Sequence, residues 1–424
     1  MYKNIKVSLI CLLALLSSGV AGQKNVYSPF ARYGIGNLEQ LGTFRTRAMG
    51  GISSGIRDNL TLNYLTPASY SSIDTTSFIF DFGLDYGMVR LKGDGLEYTS
   101  QDMTFSHLMM GLPIMKGWGV TAAVLPFTNG SYNISFQSPG TGVTGTIYEN
   151  HIGSGGYQKV LLGTGFRPLP LLSAGVNLFY VFGEVTRTND FVFTGDNNYF
   201  NTRKQSSSAL NGVGVDVSVQ LMIPVSGNRF FNAGLTYTPG YNMKTSNEDF
   251  ILRYSNIRTN LLAFDTLSVS SLSTTSRMPQ SLRAGFSLGK PDKLTAGMDF
   301  VYTNWSKANF PGTVGTYTDA VSLHAGAEYI PDKYSNYNFF DRMEYRIGCR
   351  YGESYTLFGG DNVKEYGITF GTGIPMRRSR SRISLVVDLS TRGKSDSEIP
   401  GEKRISVGAS LNLYDYWFLK RQYD

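Results

Sequence analysis

From residue 75 onward the chain keeps returning to one pattern, in which apolar or aromatic side chains alternate with Gly, Ser, Thr, Asn and single charges. Between residues 404 and 413, Ile405, Val407, Ala409, Leu411 and Leu413 fall on one side, and Arg404, Ser406, Gly408, Ser410 and Asn412 on the other. The same split sets Ile383, Leu385, Val387 and Leu389 against Ser384, Asp388 and Ser390. It also sets Val213, Val215, Val217, Val219 and Leu221 against Gly214, Asp216, Ser218 and Gln220. A period of two is the mark of a strand whose two faces meet different surroundings. Fourteen such strands are predicted, near 75–91, 98–113, 117–137, 156–167, 173–193, 208–223, 230–243, 278–289, 293–305, 320–330, 342–356, 364–375, 381–391 and 402–413.

A soluble β-sandwich would also alternate, and the connections decide between the two. Those after even-numbered strands are short ("PIMK", "RPLPLL", "PVSGN", "GKPD", "PMRRSR"), with "PDKYSNYNFFD" as a longer exception. Those after odd-numbered strands are mostly long, including "SPGTGVTGTIYENHIGSGG", residues 194–207 and residues 244–277. Tight turns on one rim, long loops on the other and an even strand count define an outer-membrane barrel. Hydrocarbon offers backbone groups no partners, so a sheet in a membrane closes on itself. The predicted fold class is therefore all-β, a 14-stranded antiparallel transmembrane barrel with apolar faces toward lipid and polar faces toward the lumen. Tyr414, Tyr416, Trp417 and Phe418, just past the last strand, are expected at headgroup level.

Composition agrees: 48 Gly, 27 Tyr and 26 Phe favour strands and turns over helices. The opening "MYKNIKVSLICLLALLSSGVAGQ" has the layout of a secretory signal peptide spanning 1–22. Cys11 lies inside its apolar run rather than at the end, which argues against a lipoprotein. Beyond it, nothing approaches the roughly 18–20 apolar residues of a membrane-spanning helix, and mean hydropathy is -0.15. Cys349 is the one cysteine left in the mature chain, so no intramolecular disulfide can form. The net charge of +7 falls to +5 without Lys3 and Lys6, too little and too scattered for nucleic acid. The basic run "RRSRSR" at 377–382 reads as a solvated hairpin turn.

Ahead of the strands, "NYLTPASYSSID" (63–74) reads as a rigid turn, neither strand nor helix, because Pro67 cannot donate to a ladder and small residues follow it. The stretch "RAMGGISSGIRDNLTLNYLTPASYS", with "MPQSLRAGFSL", "MDFVYTNWSK", "AEYIP" and "EYRIGCRYGES", resembles the FadL/TodX-like (OMPP1) transporters of hydrophobic compounds, especially their Bacteroidota versions. The resemblance covers nearly all the mature chain through short motifs. It implies that residues 23–74 form a hatch, or plug, in the lumen of a barrel spanning 75–424, located in the bacterial outer membrane. Thr66, Pro67 and Ala68 form the hatch motif, with Thr66 standing where the family has asparagine.

At 124–133, Pro126 removes a ladder donor and Asn129-Gly130 suits a bulge or tight turn. A strand ending at Phe127, with Asn129-Gly130 opening the outer loop, fits these residues as well. The resemblance implies a lateral opening there, at Pro126, Asn129 and Gly130. It further implies a passive channel for hydrophobic or amphipathic molecules such as long-chain fatty acids, with outer-membrane lipids and hydrophobic ligands as partners. The alternative is a non-transport barrel that binds outer-membrane or periplasmic proteins in secretion, surface attachment or membrane assembly.

Charged groups on the inward faces include Asp81, Asp85, Asp216, Asp299, His324, Glu328, Glu344, Arg346, Arg350, Asp388 and Arg404. Asp81 with Asp85, and His324 with Glu328, could serve as acid/base pairs, but a lumen needs polar filling of both signs in any case. The three histidines, His107, His151 and His324, lack metal-ligand spacing, and the Asp196–Asn198 and Asp361–Asn362 tips lack that of a calcium loop. Neither an enzyme nor a metal or cofactor is expected.

Overall fold

The computed structural model describes residues 28–93, 96–140, 145–194, 200–257, 260–358, 360–377, 379–393 and 401–416. The signal segment, the Asp196–Asn198 tip, Trp417 and Phe418 lie outside the described residues. The strands are β1 (Asn37–Leu38), β2 (Ser77–Gly93), β3 (Leu96–Met115), β4 (Trp118–Asn129), β5 (Tyr132–Pro139), β6 (Thr146–Leu169), β7 (Leu172–Phe193), β8 (Asn201–Val225) and β9 (Arg229–Thr238). They continue with β10 (Asn242–Ile257), β11 (Asn260–Arg277), β12 (Ser281–Lys290), β13 (Leu294–Thr303), β14 (Ala320–Tyr329), β15 (Glu344–Phe358), β16 (Asp361–Pro375), β17 (Arg382–Arg392) and β18 (Gly401–Tyr416).

Neighbours pair antiparallel all the way round, and β18 closes on β2 from Gly401↔Lys92 to Tyr416↔Ser77. Three wall strands are each interrupted once. Both β4 and β5 pair with β6, both β9 and β10 pair with β8, and β11 continues into β12 on the far side of that strand. Counted this way the wall has fourteen strands, one for each predicted segment. The interruptions fall at Gly130-Ser131, at Pro239-Gly240-Tyr241 and at Met278-Pro279-Gln280, where proline and glycine break regular pairing. The last two face each other, joined by the Met278 amide donating to the Tyr241 carbonyl at 2.8 Å.

The alternation is inside-out relative to a soluble protein. On β2, Asp81 and Asp85 are buried while Tyr86 is exposed, and on β18 Val407 is 48% exposed between buried Ser406 and Gly408. A band of exposed aliphatic and aromatic side chains on every strand is what lipid requires.

Two sequence expectations change. The segments expected as outer loops are largely sheet: β5 and β6 enclose 139–146, β8 begins at Asn201, and 242–277 is the β10–β11 hairpin. The stretch "TLSVSSLSTTS" mixes Ser and Thr into both faces and carries no continuous apolar stripe, although its backbone is extended. Tyr414, expected at headgroup level, shares the parity of Asn412, is buried, and places its hydroxyl 3.3 Å from Asp74. Tyr416 is exposed at the rim.

Residues 28–76 precede the wall and contain one helical turn, α1 (Phe44–Ala48), and, besides a short 3-10 turn at Pro29–Arg32, a longer 3-10 helix, Pro67–Ser72. The predicted turn at Pro67 is thus helical: proline at the first helical position needs no amide donor. This segment touches the polar, inward sides of strands around the whole ring, β4, β6, β7 and β8 through the 3-10 helix and β15, β16 and β17 through α1. It therefore occupies the lumen.

A cation on the lipid-facing side should be costly. Val407→Arg is expected to lower stability in lipid vesicles by about 2–4 kcal/mol, read from urea unfolding and from loss of the heat-modifiable band on gels. An unchanged unfolding midpoint would place Val407 away from lipid.

Candidate functional site

The luminal segment is held by charge and by close backbone contact. Arg45 meets Asp58 within the segment and Glu328 on β14, with Nη2 2.7 Å from Oε1. Glu328 also accepts from Arg346 Nε at 2.7 Å, Arg346 binds Glu344, and Arg382 joins Glu344 at 2.9 Å and Asp58 at 3.4 Å. Three guanidinium groups and three carboxylates form one closed, buried network. Burial alone would raise the Asp58 carboxyl, but Arg45 and Arg382 hold it well below the usual carboxylate range. Arg382 is a correction to the sequence reading: the "RRSRSR" turn is not wholly solvated, because strand parity sends this arginine inward, while Arg380 stays exposed beside Asp74.

The remaining predicted polar residues also face inward, and three of them, Asp85, Asp299 and His324, bind the luminal segment. Asp299 accepts from the Ser53 and Ser54 amides at 2.9 and 3.0 Å and from both hydroxyls, with Arg283 at 3.4 Å. Asp85 pairs with Arg47 at 2.7 Å, and Asp81 with His107 at 3.1 Å. His324 donates from Nδ1 to the Gly50 carbonyl at 2.7 Å. Arg350 binds Asp388 and Glu365, and Arg404 borders a small cavity with Glu39. The two suggested acid/base pairs are thus split among other partners: Asp81 and Asp85 go to His107 and Arg47, Glu328 to two arginines, and His324 to backbone. Among the described residues no group of three or more His, Cys, Asp or Glu could hold a metal ion.

The hatch motif packs against β6, β7 and β8. Thr66 is buried and reaches the Ser53 carbonyl at 3.3 Å, and the Ala68 amide donates to Ser218 Oγ at 2.7 Å. A β-carbon at Gly165 or Gly175 would run into the backbone of Pro67 and Ala68, so glycine is required where the two backbones meet.

The wall changes at the third strand. The β3–β4 ladder runs from Met115↔Trp118 to Leu108↔Val124 and stops. Residues 96–107 of β3 still pair with β2, but among the described residues nothing pairs their other edge. Beyond Val124, β4 pairs on that side with β1, through Leu38↔Thr128 and Asn37↔Asn129, and the Glu39 amide donates to the Phe127 carbonyl at 3.0 Å. A register shift in the β4–β6 ladder falls between Pro126 and Thr128, and the Gly130 amide donates to Gly155 at 2.9 Å. Pro126, Asn129 and Gly130 therefore sit where the chain leaves β3 and takes the luminal segment as its partner.

Just inside this break lies a cavity of about 200 Å³ bordered by Leu38, Leu41, Leu65, Leu125, Pro126 and Phe127. Its far wall carries Phe179, Tyr241 and Trp305; Lys159 meets Asp216 at 3.4 Å and lies 3.7 Å over the Phe179 ring, and Glu39 and Arg283 also reach the lining. A second cavity, of about 280 Å³, shares Leu38, Glu39, Leu41 and Trp305 and is polar beyond them, with Arg350, Asp388 and Arg392. Sequence reasoning missed Leu38, Leu41, Arg45, Arg47 and Ser53, because a coiled segment has no period to mark which side chains point where.

A closed fourteen-strand ring with a lipid-facing band and an occupied lumen defines a bacterial outer-membrane β-barrel. The family model described as BamG matches residues 1–424, and the chain belongs to the BamG family. No curated protein matches it in sequence. Among solved structures, the chain is similar to the CymD monoaromatic hydrocarbon channel, with 13% identity over 91% of this chain and 99% of that one and a TM-score of 0.57. It is similar at the same TM-score, 0.57, to a Pseudomonas aeruginosa FadL homologue, with 11% identity over 90% of this chain and 100% of that one. The Ralstonia pickettii toluene transporter TbuX shows 14% identity over 89% of this chain and 99% of that one, also at 0.57. At these identities the likeness is one of fold.

Arg45→Leu leaves two buried carboxylates short of a partner and should cost about 3 kcal/mol. Faster swelling of vesicles in small sugars would accompany it as the luminal segment loosens. Because the Asp58 carboxyl is depressed, its contribution is complete above the ordinary carboxylate range and is lost only as the pH falls through the lowered value. Swelling of the parent protein should therefore stay flat between pH 7 and the ordinary carboxylate range.

Proposed function

We propose that this barrel is a passive channel for hydrophobic or amphipathic small molecules, which leave the lumen sideways between β3 and β4 into the membrane. The observation that carries the proposal is the end of the β3–β4 ladder at Leu108↔Val124, directly beside an apolar cavity. A molecule there is bordered by Leu38, Leu41 and Phe127, and its release would carry it past the short β1 pairing to the open edge of β3. Transfer of an apolar body along such a path needs no energy source, since its surface stays out of water throughout. The likeness to hydrocarbon and toluene channels supports this reading through the fold.

Thr104→Cys and Asn129→Cys, which border one small cavity at the break, can be joined by a short thiol cross-linker in a Cys349→Ser background. Uptake of a hydrophobic tracer into vesicles should then fall to that of protein-free vesicles while the barrel stays folded. Full uptake after cross-linking would remove the lateral route.

A second reading is a static barrel that serves as a partner for other outer-membrane or periplasmic proteins. The cross-bracing favours it: the Arg45 network and the Asp299 cluster tie the luminal segment to the wall at several points. A short thiol cross-link between Ser53→Cys and Asp299→Cys, positions whose side chains are in contact, locks that segment. Cells relying on the locked protein should lose hydrophobic uptake if the channel reading holds. Growth and outer-membrane composition that stay normal only because the locked barrel is present would establish the partner role instead.

A further inference from the structure

The mouth of the barrel on the short-turn rim holds a cavity of about 650 Å³ with an unbalanced charge. Its three buried carboxylates, Asp58, Glu328 and Glu344, are each shared between two of Arg45, Arg346 and Arg382, so that group is neutral. Lys333 is matched by Asp292 at 2.6 Å. Arg57 is left over. Its guanidinium is half-buried and meets neutral acceptors: Ser173 Oγ at 2.9 Å, Ser71 Oγ at 2.8 Å, Gln220 Oε1 at 3.4 Å and the Ala68 carbonyl at 3.5 Å. Arg229 and Lys293 line the same cavity nearer the rim, and among the described residues neither they nor Arg57 form an ion pair.

A guanidinium taken partly out of water without a counter-ion is costly, and most proteins avoid it by pairing. Burial, with the nearby charge of Arg167, pulls the Arg57 group down to about 10, as expected where no anion faces it. The cavity edge also carries apolar side chains that nothing covers: Leu171, Ile223 and Leu294 are all exposed. A cation set inward and an apolar sill set outward match a molecule with a charged head and a hydrocarbon tail.

We propose that the short-turn mouth is a binding site for an amphiphile with an anionic phosphate or carboxylate head, which Arg57 grips while Arg229 and Lys293 draw it in and the tail rests on Leu171, Ile223 and Leu294. The site lies at the opposite end of the lumen from the break beside β4. It does not depend on which reading of the barrel's function holds.

The test titrates the full mature protein in neutral detergent with three probes, dihexanoyl phosphatidic acid, decanoate and inorganic phosphate, by isothermal calorimetry. Saturable binding of phosphatidic acid or decanoate is expected, weakening with added salt as Arg229 and Lys293 are screened. Arg57→Gln should weaken it about tenfold or more and Arg57→Lys much less, since a charged contact is lost in one and kept in the other. Inorganic phosphate that binds as well as the amphiphiles would overturn the tail assignment and leave a simple anion site. An Arg57→Gln protein that folds and binds normally, or no saturable binding of any probe, would overturn the proposal. Should Arg57→Gln fail to fold, Arg229→Gln/Lys293→Gln decides: several-fold weaker binding with a flatter salt dependence supports the site, and unchanged binding overturns it.

Discussion

The whole molecule answers one constraint: in hydrocarbon, every backbone amide and carbonyl of the sheet must find its partner within the protein. The ring from β2 to β18 meets it by closure, with β18 laid along β2 over its full length. Once the ring closes, strand parity assigns each side chain to lipid or lumen. Fourteen strands enclose a space too wide for their own side chains to fill, and a separate segment has to fill it. The buried arginine–carboxylate network and the serine-rich contacts to Asp299 hold that segment on the polar inner faces, and a buried apolar cluster joining Leu62, Tyr70 and Ile73 to Met109, Leu161 and Phe179 holds it elsewhere.

The break beside β4 is a local exchange of partners within the same constraint. After Val124 the strand no longer pairs with β3, and its free groups are taken up by Asn37, Leu38 and Glu39 of the luminal segment. The edge of β4 thereby stays paired although β3 has left it. The same exchange brings Leu38 and Leu41 against the apolar cavity, so that cavity and partner exchange share one short stretch of chain.

Much of this was legible in the sequence. Alternation located all fourteen wall strands, and parity alone put Asp81, Asp85, Asp299 and Glu328 on the inner face, because a period of two is insensitive to where the loops begin. It failed where the two faces carry similar side chains. The β10–β11 hairpin has Ser and Thr on both, so its strands read as loop. Composition misled at Tyr414 and Arg382, where an aromatic cluster and a basic run suggested surface positions that parity contradicts. The expectation of a hatch at 23–74 came from the family resemblance, because Pro67 and the small residues around it fit an ordinary turn equally well. The contacts of that segment were not legible, since Arg45 and Arg57 differ in partners only through a fold that joins residues hundreds of positions apart.

The order of synthesis gives the luminal segment a further significance. It is made first, yet Ser28 donates a hydrogen bond at 2.6 Å to Glu402 on the last strand, 374 residues away. That bond exists only where β18 lies beside β2, so the first described residues find their last partner at the seam of the finished ring, and the closing ladder is also a latch on the segment made first.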